Sequence, residues 1–587
     1  MVFAADVTTV QVGAMIDGTA LLDRIDRNVA KVRAEQAVYR MQQNDIELWI
    51  NKPDGSAGQD FLGRVSDQAV IKQSWPCRKN VSSQGYLALP TEHMIARYVM
   101  ALPNNREALK NVVITVSRYN GKWRWSGLLR YWKLERRKGV LSFVIFFNDD
   151  LQFLQYLLVP PNPALPLPIF QFPREFFLYA PLKWAISMTM LFQFFRIQGH
   201  PFTLPDDPFD LTQWTSTIDW SQWQCHVKAS PFLLDDSSLW GPIASRMNAA
   251  DVTFADALDD AQMVITYRRI LTARGERADG LLTPNVANGA LVFEVQDRSG
   301  FHLFGGTFLD GTIAAGFART AITYADGYFE DILNVVADDE TLAPDSYYQN
   351  GFLGTLAEFP WICINDDQWH DFDSELSWSP AGPVSVVVGG DNRTADAIAR
   401  LVIESVGNMI GYFLLGGFSS AGDIAADVIM PFLVGTIAAW LEWKNIGRTK
   451  QLGWVHLFEM YQSGAENNAW SASAEAAIRG AFTSTKAQTG HRIKLDGSHW
   501  VIPGLHFDTG DRIASTHAEL LKIGIDAMFV DQVEEMVNSS DNSAGQPMTW
   551  DVTIGLNKAA MSQGERNART LKKMLATIQN IGVHLIS

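Results

Sequence analysis

Chemistry in this chain of 587 residues is sought first where nucleophiles, carboxylates, imidazoles and thiols fall at usable spacings. Gly417-Phe418-Ser419-Ser420-Ala421 comes nearest to a serine nucleophile elbow, a sharp strand-to-helix turn that exposes a hydroxyl beside backbone donors. The last glycine of that pattern is replaced and the flanks are apolar and helical in spacing, so Ser419 reads better as part of a turn between two buried helices. Asp366, Asp367, Asp371, Asp373 and Glu375, with His370, could supply oxygen ligands to a hard cation. Their spacing is not that of an EF-hand and the turn glycine is missing, which favours a solvated acidic loop. His491, His499 and His506 recur through a strand-rich stretch and read as surface or interface histidines. Cys77, Cys225 and Cys363 lie far apart, as isolated thiols and not as a CxxC site or a disulfide framework. There is no HExxH, no GxxxxGK[ST] and no GxGxxG after a strand, so metalloprotease and nucleotide-binding readings lose their anchors. Paired carboxylates for glycoside cleavage stay open, because 64 Asp and Glu always contain pairs and their separation is a three-dimensional fact. The expectation is a chain with no catalytic residue, no cofactor and no metal.

Composition points the same way. Hydrophobic residues make up 47% and charged residues 19%, against about 25% charged in an average soluble protein, which excludes disorder for the bulk of the chain. The length exceeds one core and implies several structural units. Nineteen Trp, 33 Phe and 14 Tyr suggest extensive subunit contacts, since large amphipathic aromatics are enriched in interface cores. A formal charge of -16 disfavours direct, sequence-specific nucleic-acid binding. The N-terminal stretch lacks the basic region and continuous apolar core of a secretory signal, so synthesis in a cytoplasm is expected.

The elements that would carry these residues follow from periodicity. Leu21, Leu22, Ile25, Val29 and Val32 recur at helical steps, predicting an amphipathic helix between Ile16 and Gln42. Strands are expected at Asp45 to Ile50, Gly85 to Leu89, Val112 to Tyr119, Lys122 to Leu129 and Val140 to Phe147. Asn120-Gly121 between alternating β-formers predicts a hairpin with a type I′ turn. Without helix-period segments between them, these strands favour an antiparallel sheet or small barrel. Six prolines within the fifteen residues from Pro160 enforce extended backbone and mark a boundary or strap. Leu182 to Ile197 is helical and apolar, a Trp-rich middle region follows, and Leu291 to Phe308 offers a second hairpin. Val384 to Val388 reads as a strand. Thr394 to Gly417 and Asp423 to Lys444 read as helices, buried in protein or an interface although apolar enough to raise membrane contact. The region after Ala472 turns from a helix back to β patterning, and a last helix runs from Glu565 to Ile581.

The segment from Pro383 through Gly389, Gly390, Phe413, Gly416, Pro431, Phe432 and Trp440 resembles the minor tail proteins that form the tail hub of long-tailed actinobacteriophages. Order and spacing agree across roughly 383 to 555, including the aromatic stretch from Trp454 to Trp470 and Met548 to Gly555. Asp391-Asn392-Arg393-Thr394 departs from the Ser-Pro-x-Trp frequent in that family. The resemblance implies a multidomain α+β chain with two tube-like antiparallel β-barrel domains and inserted mixed and apolar helical segments, assembling as a ring. The corresponding division is 1–44 amphipathic helix, 45–159 first barrel, 160–198 Pro-rich strap and apolar helix, and 199–382 aromatic-rich middle domain. It continues with 383–390 as a strand of the second barrel, 391–484 apolar helical segment, 485–557 main part of the second barrel and 558–587 C-terminal helix. The implied function is structural: a homotrimeric hub at the virion tail tip that adapts a six-fold tail to a three-fold tip and helps form the DNA-exit channel. Its partners would be the distal tail protein ring, the C-terminal end of the tape-measure protein, other minor tail and tip proteins and, in some form, the host envelope. A cell-wall hydrolase or a membrane-contacting entry protein is the alternative. Trp440, Trp443, Phe413 and Phe432 are the expected interface residues, because buried aromatics dominate interface energies.

Overall fold

The computed structural model describes residue 30 and the span 45–555, apart from 166–175, 200–208, 210–218, 230–235, 304–333, 337–354, 358–361, 365–372, 390–439, 463–471, 496–500, 524–526 and a few shorter gaps. The helices expected near residues 16–42 and 565–581 and the apolar stretch 391–439 lie outside the described residues. What is described is mostly β with some helices.

Seven strands open the chain: β1 (Asp45–Asn51), β2 (Gln59–Val65), β3 (Lys72–Arg78), β4 (Gln84–Pro90), β5 (Val112–Arg118), β6 (Trp123–Arg137) and β7 (Val140–Asp149). Their alternation follows the period-two rule. Trp75, Leu87, Leu89, Phe143, Ile145 and Phe147 are fully buried on one face. Between β4 and β5 the helix Met94–Ala101, which sequence periodicity did not bring out, starts where His93 accepts a hydrogen bond from the Ile95 amide. It lays Ile95, Ala96 and Val99 on the same core. The expected hairpin is present. Asn120 and Gly121 have φ of 57° and 77°, and the Lys122 amide donates to Tyr119 at 3.2 Å, as a type I′ turn requires. Tyr119 is also left-handed at φ 50°, so the strands close one pair further out, at Arg118 and Trp123.

The C-terminal strands Gln488–Leu495, Gln546–Ile554 and Ala527–Asp541 continue this sheet. Ala527–Asp541 pairs antiparallel with β3, Glu535 facing Arg78 and Asp541 facing Lys72. Among the described residues the result is a 14-stranded sheet whose main path runs from β2 to the strand Ser374–Ser379 without closing. Two separately closed barrels are therefore not what the described strands form. Beneath the junction Arg118, 1% exposed, donates to Asn538 at 3.2 Å and to Gln73 at 3.1 Å. Gln73 also accepts from the Trp75 indole at 2.8 Å and donates to Ser540.

A second core surrounds the helix Leu182–Gln198, which matches its expected span and packs against the strands Cys225–Lys228 and Ala290–Asp297 and the helix Ala250–Asp260. Ala290–Asp297 pairs with Met263–Ile270 on one side and parallel to Cys225–Lys228 on the other. The hairpin expected across 291–308 does not form, because Phe301–Leu303 pairs instead with Thr355–Ala357. This unit is fastened to the large sheet by a buried, bidentate Arg269–Asp150 pair at 2.8 and 2.7 Å. Asn80 adds a clamp on the Met263 carbonyl and the Ile265 amide.

A third, small sheet orders Trp440–Lys444, Ser385–Gly389 and Glu459–Tyr461. The strand near Val384 to Val388, expected to join the strands after 485, pairs here because Val386 and Val388 are buried against Ala477, Ile478, Ala481 and Phe482 of the helix Ala472–Thr485. Likewise 440–444, expected as the end of a helix, is an antiparallel strand facing Ser385–Gly389.

Two outcomes follow from the seam between the first two units. Arg269→Ala strands a buried carboxylate, a change that costs about 3–5 kcal/mol; calorimetry should show the unfolding midpoint falling by several degrees, while Lys522→Ala at an exposed pair leaves it in place. Next to Asp150, burial pushes the Asp149 carboxyl up from 3.8 to about 7, against hydrogen bonds from Ser83 that favour the ionised form. The folded chain therefore keeps a proton that the unfolded chain releases above about 4. The associated stability is fully present below that pH and is lost as pH rises through about 7. Asp149→Asn should flatten the pH dependence of the unfolding midpoint between about pH 4 and 7; an unchanged slope would contradict the assignment.

Candidate assembly interface

The residues that could have carried catalysis are not brought together. Ser419, His370, Asp366, Asp367, Asp371 and His499 lie outside the described residues. Glu375 sits on the edge strand Ser374–Ser379 and Asp373 precedes it. No group of three His, Cys, Asp or Glu suited to a metal occurs among the described residues. His491 is not a surface histidine: it is 1% exposed, 2.8 Å from the Ser515 hydroxyl, and burial beside His517 pushes it down to about 4. It is neutral at physiological pH, as a core group. The His506 ring accepts from the Ile502 amide at 2.8 Å and shapes a turn. Burial pushes the Cys225 and Cys363 thiols up to about 12 and 11 and holds Cys77 well above its ordinary value, which leaves all three poor nucleophiles. Among the described residues no helix is long and apolar enough to cross a membrane.

What the chain does present is apolar surface on the third unit. Trp443, one of the expected interface residues, is 45% exposed on the strand Trp440–Lys444, in register with Val386. Trp440 faces Gly389 on the same strand. Phe413 and Phe432 lie outside the described residues. Beside this strand projects a segment that sequence reasoning did not single out as a contact. Trp454 is 94% exposed, Val455 80%, Leu457 64% and Phe458 79%. Ile446 and Tyr461 are exposed nearby.

The projection is built, not frayed. The helix Ile446–Leu452 starts on Asn445, whose side chain accepts from the Arg448 amide, and ends at Gly453 with φ 80°. Arg448 anchors the helix by donating to the carbonyls of Pro383 and Phe482. Past the glycine, the His456 ring contacts the Gly453 carbonyl at 2.9 Å and meets Phe458 edge-on at 6.0 Å. The carbonyls of Leu457 and Phe458 accept from the amides of Val384 and Ser385 at 3.1 and 3.0 Å. The tip thus holds large apolar side chains in water, surface of the kind that marks contact sites. The readable signal was the unbroken Trp-Val-His-Leu-Phe run behind a glycine, with no alternate polar face to turn outward.

Comparison with known proteins now identifies the chain's relatives. The family described as Siphovirus ReqiPepy6 Gp37-like protein matches residues 56–556. Minor tail protein Gp28 of Mycobacterium phage D29 is 26% identical over 580 residues, covering 90% of this chain and 93% of the phage protein. The protein of the same name from Mycobacterium phage L5 is 25% identical over 575 residues, covering 89% and 92%. Among solved structures, the tail protein from Neisseria meningitidis MC58 aligns over 88% of this chain and 97% of its own at a TM-score of 0.37 and 8% identity. With its matched span reaching over most of its length, the chain belongs to the Siphovirus ReqiPepy6 Gp37-like family and is a minor tail protein of a phage virion.

Proposed function

We propose that this minor tail protein is the tail-tip hub: a homotrimer, without catalytic turnover, that adapts the six-fold tail to a three-fold tip and helps form the DNA-exit channel. The observation that carries this reading is the single sheet in which the N-terminal and C-terminal β regions lie side by side, joined at β3 and Ala527–Asp541. Among the described residues its main path ends in β2, whose Gln59 is held by Asn288, and in Ser374–Ser379. A terminal strand can take a further strand along its remaining edge, and repeated heterologous contacts of this kind close a ring. Three chains with two β regions each then present six comparable staves, as tube-like barrel segments, to a six-fold neighbour. The distal tail protein ring, the C-terminal end of the tape-measure protein and other minor tail or tip proteins are the partners of this arrangement. The apolar tip Trp454–Phe458 supports docking onto one of them, and host-envelope contact would use the same surface.

Gold-conjugated antibody against the chain should label only the tail tip of intact particles, and crosslinking should yield a species of three times 65.4 kDa. Label along the tail tube, or absence from the particle, overturns the hub reading. Trp454→Ser with Phe458→Ser should shift the chain's own stability by under about 0.5 kcal/mol. The pair should still weaken incorporation into tails by roughly 30-fold for each 2 kcal/mol of interface energy removed, measured by competition with wild-type chain during assembly.

A further inference from the structure

One face of the large sheet buries the core; the other is covered at β1 and β5, where Trp49 and Val113 pack on Leu271, and holds a pattern of charge on the strands from β6 and β7 through β3 to Ser374–Ser379. On that second face Arg78 lies 2.7 Å from Glu535 across the strand junction. Lys72 faces Asp541 in register and stands 5.7 Å over the Tyr86 ring. Arg492 lies 3.5 Å from Asp551, which also faces Lys494, while Glu375 faces Arg492 from the edge strand. Lys133 pairs with Glu135 on β6 and covers Phe146, itself stacked on Tyr131 at 4.4 Å. The positions between them, Ser74, Ser539, Thr549 and Thr553, are small hydroxyls left partly open to solvent. These five cations and five carboxylates cancel on a face that belongs to a chain of formal charge -16.

We infer that this charge-compensated face is the surface the chain turns toward duplex DNA in transit, an inference that rests on the hub reading. Five uncompensated cations would bind phosphates with counterion release, and adhesion would stall a moving polyanion. Five uncompensated carboxylates would repel it from a confined passage. Partners on the same or neighbouring strands cancel both fields within about one Debye length, roughly 8 Å at physiological salt. The individual pairs need not be strong for this, since cancellation at a distance depends on where the charges sit and not on the energy of each bridge.

The test is the rate of genome release from particles carrying Glu135→Gln, Glu375→Gln, Glu535→Gln, Asp541→Asn and Asp551→Asn together. The control changes five exposed carboxylates elsewhere: Asp54, Glu92, Asp219, Asp279 and Glu519. The face variant should release about threefold or more slowly at 50 mM salt and recover toward wild type at 200 mM, because affinity through five phosphate contacts falls roughly 500-fold over that range. The control should release at the wild-type rate. Equal rates for the two variants overturn the inference. Should the fivefold variant assemble no particles, Glu535→Gln and Asp551→Asn singly give smaller steps in the same direction, and unchanged release in both overturns it as well. Gold labelling of the same particles separates the two readings: absence from the tip sinks the hub, whereas presence at the tip with unchanged release sinks only the assignment of this face.

Discussion

The antiparallel pairing of β3 with Ala527–Asp541 is the contact on which the rest of the chain is hung. It brings together residues separated by more than four hundred positions, Gln73 and Ser540 among them, and its loop-closure entropy must be offset locally. The offset comes from both faces. On one, Trp75, Met536 and Val552 are fully buried; on the other, Arg78 meets Glu535. Arg118 sets the register from below. A buried guanidinium has a large desolvation cost, here enough to lower it to about 10, so it remains charged at neutral pH. Its acceptors Asn538 and Gln73 belong one to each side of the junction. A one-residue slip would remove an acceptor and turn Trp75 toward water.

The units added to this sheet are tied to the same seam. Gln532, 3% exposed, uses its amide nitrogen on the carbonyls of Gln262, Arg298 and Gly510, and its oxygen accepts from Lys79. One side chain on the long C-terminal strand thus contacts two middle-unit strands at their shared end, the turn at Gly510 and the turn after β3. Asp150 and Arg269 close the far side of that contact. Among the described residues the third unit buries Val386, Val388, Ala477, Ile478, Ala481 and Phe482 together, and its exposed tip lies beside that core.

Local pattern was legible in the sequence and long-range pairing was not. β1, β4, β7 and the helix Leu182–Gln198 could be read within a few residues, since each buries an alternating or helical set of its own. The helix Met94–Ala101 escaped because it is short and is stabilised by docking on a core assembled from elsewhere. Partner choice escaped for a related reason: Ala290–Asp297 and Ser385–Gly389 have the right composition for a strand, but nothing within either segment says which distant strand completes it. Trp443 was named by residue type alone, and its exposure, like that of Trp454 and Phe458, came only with the structure. The family resemblance reached further than periodicity because order along the chain survives where pairing partners are unreadable.

Net charge illustrates how a whole-chain quantity can mislead about one surface. A formal charge of -16 suggests an acidic passage that keeps DNA away by repulsion. On the open face of the large sheet the described charges instead balance, with carboxylates placed by strand register opposite or beside cations. The two designs differ in their response to salt: a repelling wall weakens as ions screen it, whereas a balanced wall has little field to screen. Register supplies that balance without costly burial of ions, because each partner remains partly in water. The excess negative charge can then reside on other surfaces, where it favours solubility and discourages unwanted association before assembly.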